Sequence, residues 1–305
     1  MSESIIKVVS LTKSYGEFLA VDDISFEVWP GEIFGLLGPN GAGKTTTLEC
    51  LEGLRLPDKG DIRIMGVDPV GNVRRLHNTI GVQLQTSGLP ASMTVGEAIR
   101  FFSAYHGVAP GYDLLDRLGL KEKAGVQYHA LSTGLQRRLA LALALAHKPP
   151  IVIMDEPTAG LDVPSRVELH ELMNELRITG VTILMATHDM AEAEKMADRV
   201  AILLRGKIVV TGTPRELTAS GPALTKVMVS TSKKSLLITP HLVLPAIQRQ
   251  LVQDEYLVCF SSDVGRTLKT MLAYIEQHDD TIIDLRVERP SLEERFLEIT
   301  TEKVR

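Results

Sequence analysis

The sequence predicts an α/β fold, a mixed sheet with helices packed on it, followed by a small α+β domain. Short apolar runs at residues 33–37, 151–154 and 181–187 each lead directly into residues able to do chemistry. A long stretch between the first two, residues 86–148, carries helical patterns and no good strand. After "TASGPA", residues 218–223, strand-like and helix-like segments alternate. The predicted organisation is a domain over 1–217 with a helical subdomain at 86–148, a linker at 218–223 and an accessory domain over 224–305.

The chain has 305 residues, enough for two domains, and at 44% hydrophobic and 23% charged it has the composition of an ordinary globular protein. A formal net charge of −5, without a long Lys or Arg run, argues against nucleic acid as a partner. Cys50 and Cys259 lie far apart, which argues against a disulfide framework or a zinc site and fits a reducing cytosol. The opening "MSESIIKVV" lacks the basic head and apolar stretch of a signal peptide. Leu139 to Ala146 is apolar, but Arg137, Arg138 and Lys148 bracket it, leaving far fewer than the roughly 18 residues a span needs. The sequence therefore predicts no membrane span of its own.

Taken in order, the N-terminal strands predict an antiparallel flank. The run Ile33 to Leu37 reads as a buried strand, and Lys44 to Leu54 reads as a helix with Leu48 and Leu51 on one face. Between them stand Gly38, Pro39, Asn40, Gly41, Ala42, Gly43, Lys44 and Thr45, followed by Thr46. Gly, four residues, then Gly-Lys-Thr is the phosphate-loop pattern. Its glycines let consecutive N–H groups point inward, and the helix N-terminus adds positive charge. Lys44 is placed to reach β- and γ-phosphates and the Thr45 hydroxyl to coordinate Mg²⁺. The expected core is that of a P-loop NTPase, with anionic phosphate and Mg²⁺ as its natural occupants.

The strand "IVIM" then delivers Asp155 and Glu156 at its carboxyl end, where ligands of parallel sheets bind. Asp155 is the candidate Mg²⁺ ligand, and Glu156 the candidate that polarises a water for attack on the γ-phosphate. The strand "VTILMAT" ends at His188, a candidate γ-phosphate contact. The other seven histidines read as surface or packing residues.

The segment "HALSTGLQRRLALALALAH", residues 129–147, joins a polar head to a Leu/Ala helix. Ser132 is a good N-cap, and a Ser–Thr–Gly head leaves the first N–H groups open to an anion. From residue 5 to about 217 the chain resembles the ATP-binding subunits of ABC transporters. That family's signature, Leu-Ser-Gly-Gly-Gln and a basic helix start, is matched by Leu131-Ser132-Thr133-Gly134-Leu135 and then Gln136-Arg137-Arg138. The resemblance implies that Ser132 and Gly134 meet the γ-phosphate of ATP held by a second ATPase subunit, so that the site is completed by a dimer, expected to be a homodimer. Thr133 and Leu135 depart from the signature, and Thr133 would be strained if its φ were positive.

The same resemblance implies that Tyr15 stacks on adenine and that Gln85 contacts Mg²⁺ and water, with Gln83 as its competitor. It implies that Asp162 of "TAGLD" lies in a loop crossing the dimer interface. The groove beside Gln85 then receives a short helix of an integral-membrane permease, placing the chain on the cytoplasmic face of the membrane. In the C-terminal domain 225–231, 256–261 and 281–287 look extended, and 264–278 looks helical after an Asp263 cap. Ser291 and Glu294 have capping-box spacing, with Leu292, Phe296 and Leu297 as the apolar face. The "PSLE" ending resembles ATPase subunits of bacterial drug and antibiotic exporters. Two other readings stay open, a soluble ABC ATPase without a membrane role and a nucleotide-regulated binding module without turnover.

Overall fold

The computed structural model describes residues 3–83, 88–219, 224–238 and 244–302. Two compact units emerge, Met1–Thr213 and Pro214–Arg305. The first unit begins with strands β1 (Ile6–Tyr15) and β2 (Phe18–Val28), then β3 (Ile33–Leu37), helix α1 (Lys44–Leu51) and β4 (Lys59–Ile64). Next come α2 (Val73–Thr79), β5 (Ile80–Gln83), α3 (Val95–Tyr105), α4 (Tyr112–Arg117) and α5 (Thr133–Leu145). It continues through β6 (Ile151–Asp155), α6 (Val163–Ile178), β7 (Thr182–Thr187), α7 (Met190–Met196), β8 (Arg199–Leu204) and β9 (Lys207–Gly212).

A six-stranded sheet runs β5-β6-β7-β3-β8-β9, parallel except for the hairpin partner β9. A three-stranded antiparallel sheet, β2-β1-β4, stands beside it. Every residue of β3, β6 and β7 is buried, as continuous apolar runs in central parallel strands should be. Between the two sheets the core gathers Leu11, Val21, Phe26, Phe34, Leu48 and Leu51, with the Phe26 and Phe34 rings stacked at 5.5 Å.

Helix α1 is shorter than its sequence pattern predicts, ending at Leu51 because Gly53 turns left-handed at φ 71°. Between β5 and β6 the described residues hold α3, α4 and α5 and no strand. A capping box closes the start of α3, with Thr94 and Glu97 bonding each other's backbone N–H groups. Along α5 every residue from Leu139 to Leu145 is buried, and the helix packs on β5 and α3. Among the described residues no helix is long and apolar enough to cross a membrane.

The second unit starts with α8 (Pro214–Ala219), earlier than the linker expected at 218–223. Pro214 explains the start, since its fixed φ suits a first helical turn. Residues 220–223 of that linker lie outside the described residues. The unit continues with β10 (Thr225–Thr231), α9 (Ser235–Ile238), β11 (Ile247–Gln253), β12 (Tyr256–Ser261), α10 (Val264–Gln277), β13 (Ile282–Glu288) and α11 (Leu292–Glu302). Its antiparallel sheet has the order β11-β12-β10-β13, which with the βαββαβ chain order is a ferredoxin-like arrangement. Asp263 caps α10 by accepting the Arg266 N–H at 3.1 Å. Ser291 and Glu294 close the capping box of α11, each bond at 3.2 Å. On that helix Leu292 is buried, whereas Leu297 is exposed.

Candidate active site

The site is assembled by sheet order. Strand β7 lies between β3 and β6, so the phosphate loop after β3, the carboxylates of β6 and His188 after β7 emerge side by side. The loop needs glycine at Gly43, where φ is 106° and a Cβ would stand 2.3 Å from the Ala20 carbonyl oxygen. Gly43 is also the N-cap of α1, and no side chain caps that helix. Its first N–H groups are thus left to an anion.

Lys44 is buried, and its ammonium donates to the carbonyl of Gly38 at 2.7 Å and of Pro39 at 3.3 Å. It also lies 3.5 Å from Glu156 Oε1. The other Glu156 oxygen, Oε2, is 2.8 Å from His188 Nδ1, and the His188 side chain is 52% exposed. Glu156 itself adopts a left-handed backbone with φ 48°, its N–H donating to Ala186 O at 2.9 Å. For a non-glycine residue that conformation costs about 1–3 kcal/mol and persists where surroundings enforce it. Here it turns the carboxylate out of the strand line toward Lys44 and His188.

Asp155 ends β6, and its Oδ2 accepts the Thr45 hydroxyl at 3.0 Å. Its Oδ1 is buried without a hydrogen-bond partner. Burial pushes the Asp155 carboxyl up, against the opposing Thr45 hydrogen bond, and the neighbouring Glu156 raises it further. A buried carboxylate with a free oxygen beside a threonine hydroxyl fits a hard divalent cation, which takes oxygen ligands. Gln85, the other expected ligand, lies outside the described residues. Its competitor Gln83 is buried at the end of β5, and neither amide atom is hydrogen-bonded.

Next to the loop lies a pocket of about 200 Å³, lined among others by Tyr15, Phe18, Asn40, Lys44, Thr46 and Glu156. Gly41, Ala42, Gly43 and Thr45 complete its phosphate-loop wall. Tyr15 and Phe18 pair across the β1–β2 turn, so two aromatic rings flank the place where sequence reasoning put one. The spacing Tyr-Gly-Glu-Phe, a tight hairpin with aromatics at both ends, could have signalled Phe18.

Ser132, Gly134 and Asp162 do not line this pocket. They come together elsewhere, at the N-termini of α5 and α6. Ser132 caps α5 through a 3.4 Å bond from the Leu135 N–H, and Asp162 caps α6 through a 3.2 Å bond from the Ser165 N–H. A Cβ on Gly134 would meet Ser165 Oγ at 2.8 Å and Ser165 Cβ at 3.3 Å, so the two helix starts approach closely at this glycine. Thr133 opens α5 and is absent from the residues with positive φ, which removes the steric objection to it. Gln136, unassigned by sequence reasoning, donates to the carbonyls of Tyr128 at 3.1 Å and Leu131 at 3.3 Å.

A buried network was also missed. The Thr158 hydroxyl donates to Glu192 Oε1 at 2.7 Å, and His170 Nε2 lies 3.4 Å from the same oxygen. It ties the segment after Glu156 to α6 and to α7, the helix that follows His188. No sequence spacing marks such a contact, because its members come from three elements.

A second pocket, about 290 Å³, is lined by residues that include Glu52, Ile80, Phe102, His106, Leu143 and His147. The His106 and His147 rings stack at 3.8 Å, and burial, then the His106 charge, pulls His147 down to about 4. Glu52 is pushed up to about 7, by burial first and then by Asp155 and Glu49. Its folded form therefore holds a proton that the unfolded chain has released, so Glu52 lowers stability as pH rises from its ordinary value toward 7. Glu52→Gln should be more stable than the natural chain at pH 8 by up to about 3 kcal/mol and should match it near pH 4. Urea unfolding of both chains across this range checks the prediction; parallel pH profiles would contradict it.

Known proteins are similar to this chain in family and in fold. A family described as ABC transporter matches residues 21–159. The chain is 37% identical to the Nod factor export ATP-binding protein I of Ralstonia nicotianae, over 100% of this chain and 96% of that protein. It is 31% identical to the linearmycin resistance ATP-binding protein of Bacillus subtilis, over 99% of this chain and 100% of that protein. Among solved structures it is similar to an ATP-binding subunit of an ABC transporter, with a TM-score of 0.66 and 29% identity over 71% of this chain and 92% of that one. It is likewise similar to the dimeric structure of a bacterial ABC transporter cassette, with a TM-score of 0.63 and 27% identity over 68% of this chain and 98% of that one.

Proposed function

Since the chain belongs to the ABC transporter family as one of its ATP-binding proteins, we propose that two copies close around two ATP molecules and hydrolyse them to drive export through a separate membrane permease. The observation that carries this reading is the 2.8 Å contact between His188 and Glu156, with Lys44 3.5 Å from the same carboxylate. Glu156 and Lys44 line one pocket, and His188 meets the same carboxylate.

In this proposal the loop Gly38 to Thr46 cradles the phosphates through its free backbone N–H groups, Pro39 having none, and Lys44 exchanges its carbonyl partners for β- and γ-phosphate oxygens. Tyr15 holds the adenine ring. Glu156 takes the proton of the attacking water while His188 holds the γ-phosphate, giving ADP and phosphate. Thr45 and Asp155, with Gln85, would hold Mg²⁺, which would supply charge neutralisation for the phosphates. Ser132 and Gly134 of one copy face the γ-phosphate held by the other, and Asp162 crosses between them.

We assign the nucleotide-binding domain to residues 1–213, with 86–148 as its helical subdomain, and the accessory domain to 214–305. The apolar pocket around Ile80 and Phe102 is the surface offered to the permease, which holds the chain at the cytoplasmic face of the membrane. The relatives' names, Nod factor export and linearmycin resistance, support a drug-like, lipid or other small exported substrate.

The test is capture of tagged Glu156→Gln from detergent-solubilised membranes in the presence of ATP. A polytopic membrane protein is expected to come with it. Recovery of ribosomes, or of the chain alone, would move the reading to a soluble ATPase.

A further inference from the structure

The C-terminal unit leaves one edge of its sheet open. Strand β13 ends the order β11-β12-β10-β13, and among the described residues only β10 pairs with it. Along β13, Ile283 is 67% exposed, Leu285 39% and Val287 45%. The register places Leu285 opposite Val229 and Val287 opposite Val227, and both valines belong to the core that Met271 and Ile275 of α10 complete. Leu285 and Val287 thus continue that core's face outward, past the part which α10 covers, and the register shifts at Ile283, between the Ser230–Asp284 and Thr231–Ile282 pairs. An uncovered apolar edge strand is what proteins ordinarily blunt with charge, proline or a cover.

The pattern on the strand identifies its cover. An antiparallel pair of two β13 strands centred on Leu285 sets Leu285 against its own copy, Ile283 against Val287, and Asp284 against Arg286. These pairs are apolar with apolar or acid with base, the strand ends add Ile282 against Glu288, and every pair except the axial Leu285 pair occurs twice about the two-fold axis. Such reciprocity, in which residue i meets j and j meets i, is the requirement of an isologous contact. Within one chain the Arg286 Nε already donates to Asp284 at 2.8 Å, and Asp284 also accepts the Tyr256 hydroxyl at 2.7 Å. Pairing with the copy therefore exchanges this ion pair within each chain for two ion pairs across the axis.

We propose that β13 pairs with β13 of a second copy, joining two C-terminal sheets into one and burying Ile283, Leu285 and Val287 of both chains. Opposed strands gain main-chain hydrogen bonds as well as the side-chain pairs. The proposal rests on the homodimer reading above, but it needs no nucleotide.

The experiment is sedimentation velocity on the full chain without nucleotide. The natural chain should dimerise. Asp284→Arg brings two arginines against each other across the axis, and Arg286→Asp brings two aspartates; each should weaken association about tenfold or more. The double change Asp284→Arg/Arg286→Asp should restore it. A mixture of the two single variants should also associate, because each then supplies what the other lacks, and this arm controls for variants that simply fold poorly. A monomeric natural chain, single variants as dimeric as the natural chain, or a mixture that stays monomeric would overturn the proposal. ATP-driven dimerisation is scored separately in Glu156→Gln carrying Asp284→Arg, whose β13 contact is broken. Its loss with the natural chain's nucleotide-free dimer intact would sink the sandwich reading and leave the β13 contact standing.

Discussion

Glu156→Gln is expected to bind ATP about as tightly as the natural chain while releasing phosphate about 10²- to 10⁴-fold more slowly, the usual scale for losing a general base. The substitution keeps the shape of a side chain whose two oxygens face Lys44 and His188. Its amide can still pair with His188, so the geometry of the pocket is retained. What it loses is the basic oxygen that accepts the proton of the attacking water. It also removes a negative charge from beside the Lys44 ammonium, which favours a bound polyphosphate. Arrested at this step, the variant should hold two chains around uncleaved ATP, and once its β13 contact is broken by Asp284→Arg it should elute as a dimer only when ATP is present. Single-turnover phosphate release and a fluorescent-ATP titration separate the two quantities. Near-normal turnover would remove Glu156 from its role, and loss of binding would assign it to holding the nucleotide instead.

What was legible in the sequence was local. The phosphate loop is a contiguous spacing between a buried strand and a helix, so its glycines and Lys44 could be read directly, and the structure describes them in that form. Asp155, Glu156 and His188 were found because parallel strands present functional groups at their carboxyl ends; that β7 lies between β3 and β6 is a matter of sheet order, which spacing does not encode. The left-handed turn at Glu156 is likewise invisible in the string. Thr133 looked anomalous against the signature only because its backbone was unknown. Strand β11 went unread because "IQRQLVQ" is mostly polar, and its pairing with β12 supplies what its side chains do not. The Thr158–Glu192 bond joins residues 34 apart, and no periodic pattern brings them together.

Lys44→Ala should weaken nucleotide affinity by about thirtyfold or more, the scale of truncating one member of a buried charge pair, about 2 kcal/mol or more. The ammonium is already desolvated, held by the Gly38 and Pro39 carbonyls and by Glu156. Phosphate therefore meets a preformed cation at little further cost in dehydration or side-chain ordering. Alanine leaves the carbonyls facing the phosphates without a proton between them and leaves Glu156 without its counter-charge. Both changes repel an anion, so the loss exceeds that of one absent hydrogen bond. Lys44→Arg is not a conservative replacement, since a planar guanidinium cannot fill a cradle made for a point charge, and it too should bind poorly. A fluorescent-ATP titration at fixed salt reads both variants. Unchanged affinity in Lys44→Ala would mean that the occupant of this loop is not a nucleotide phosphate.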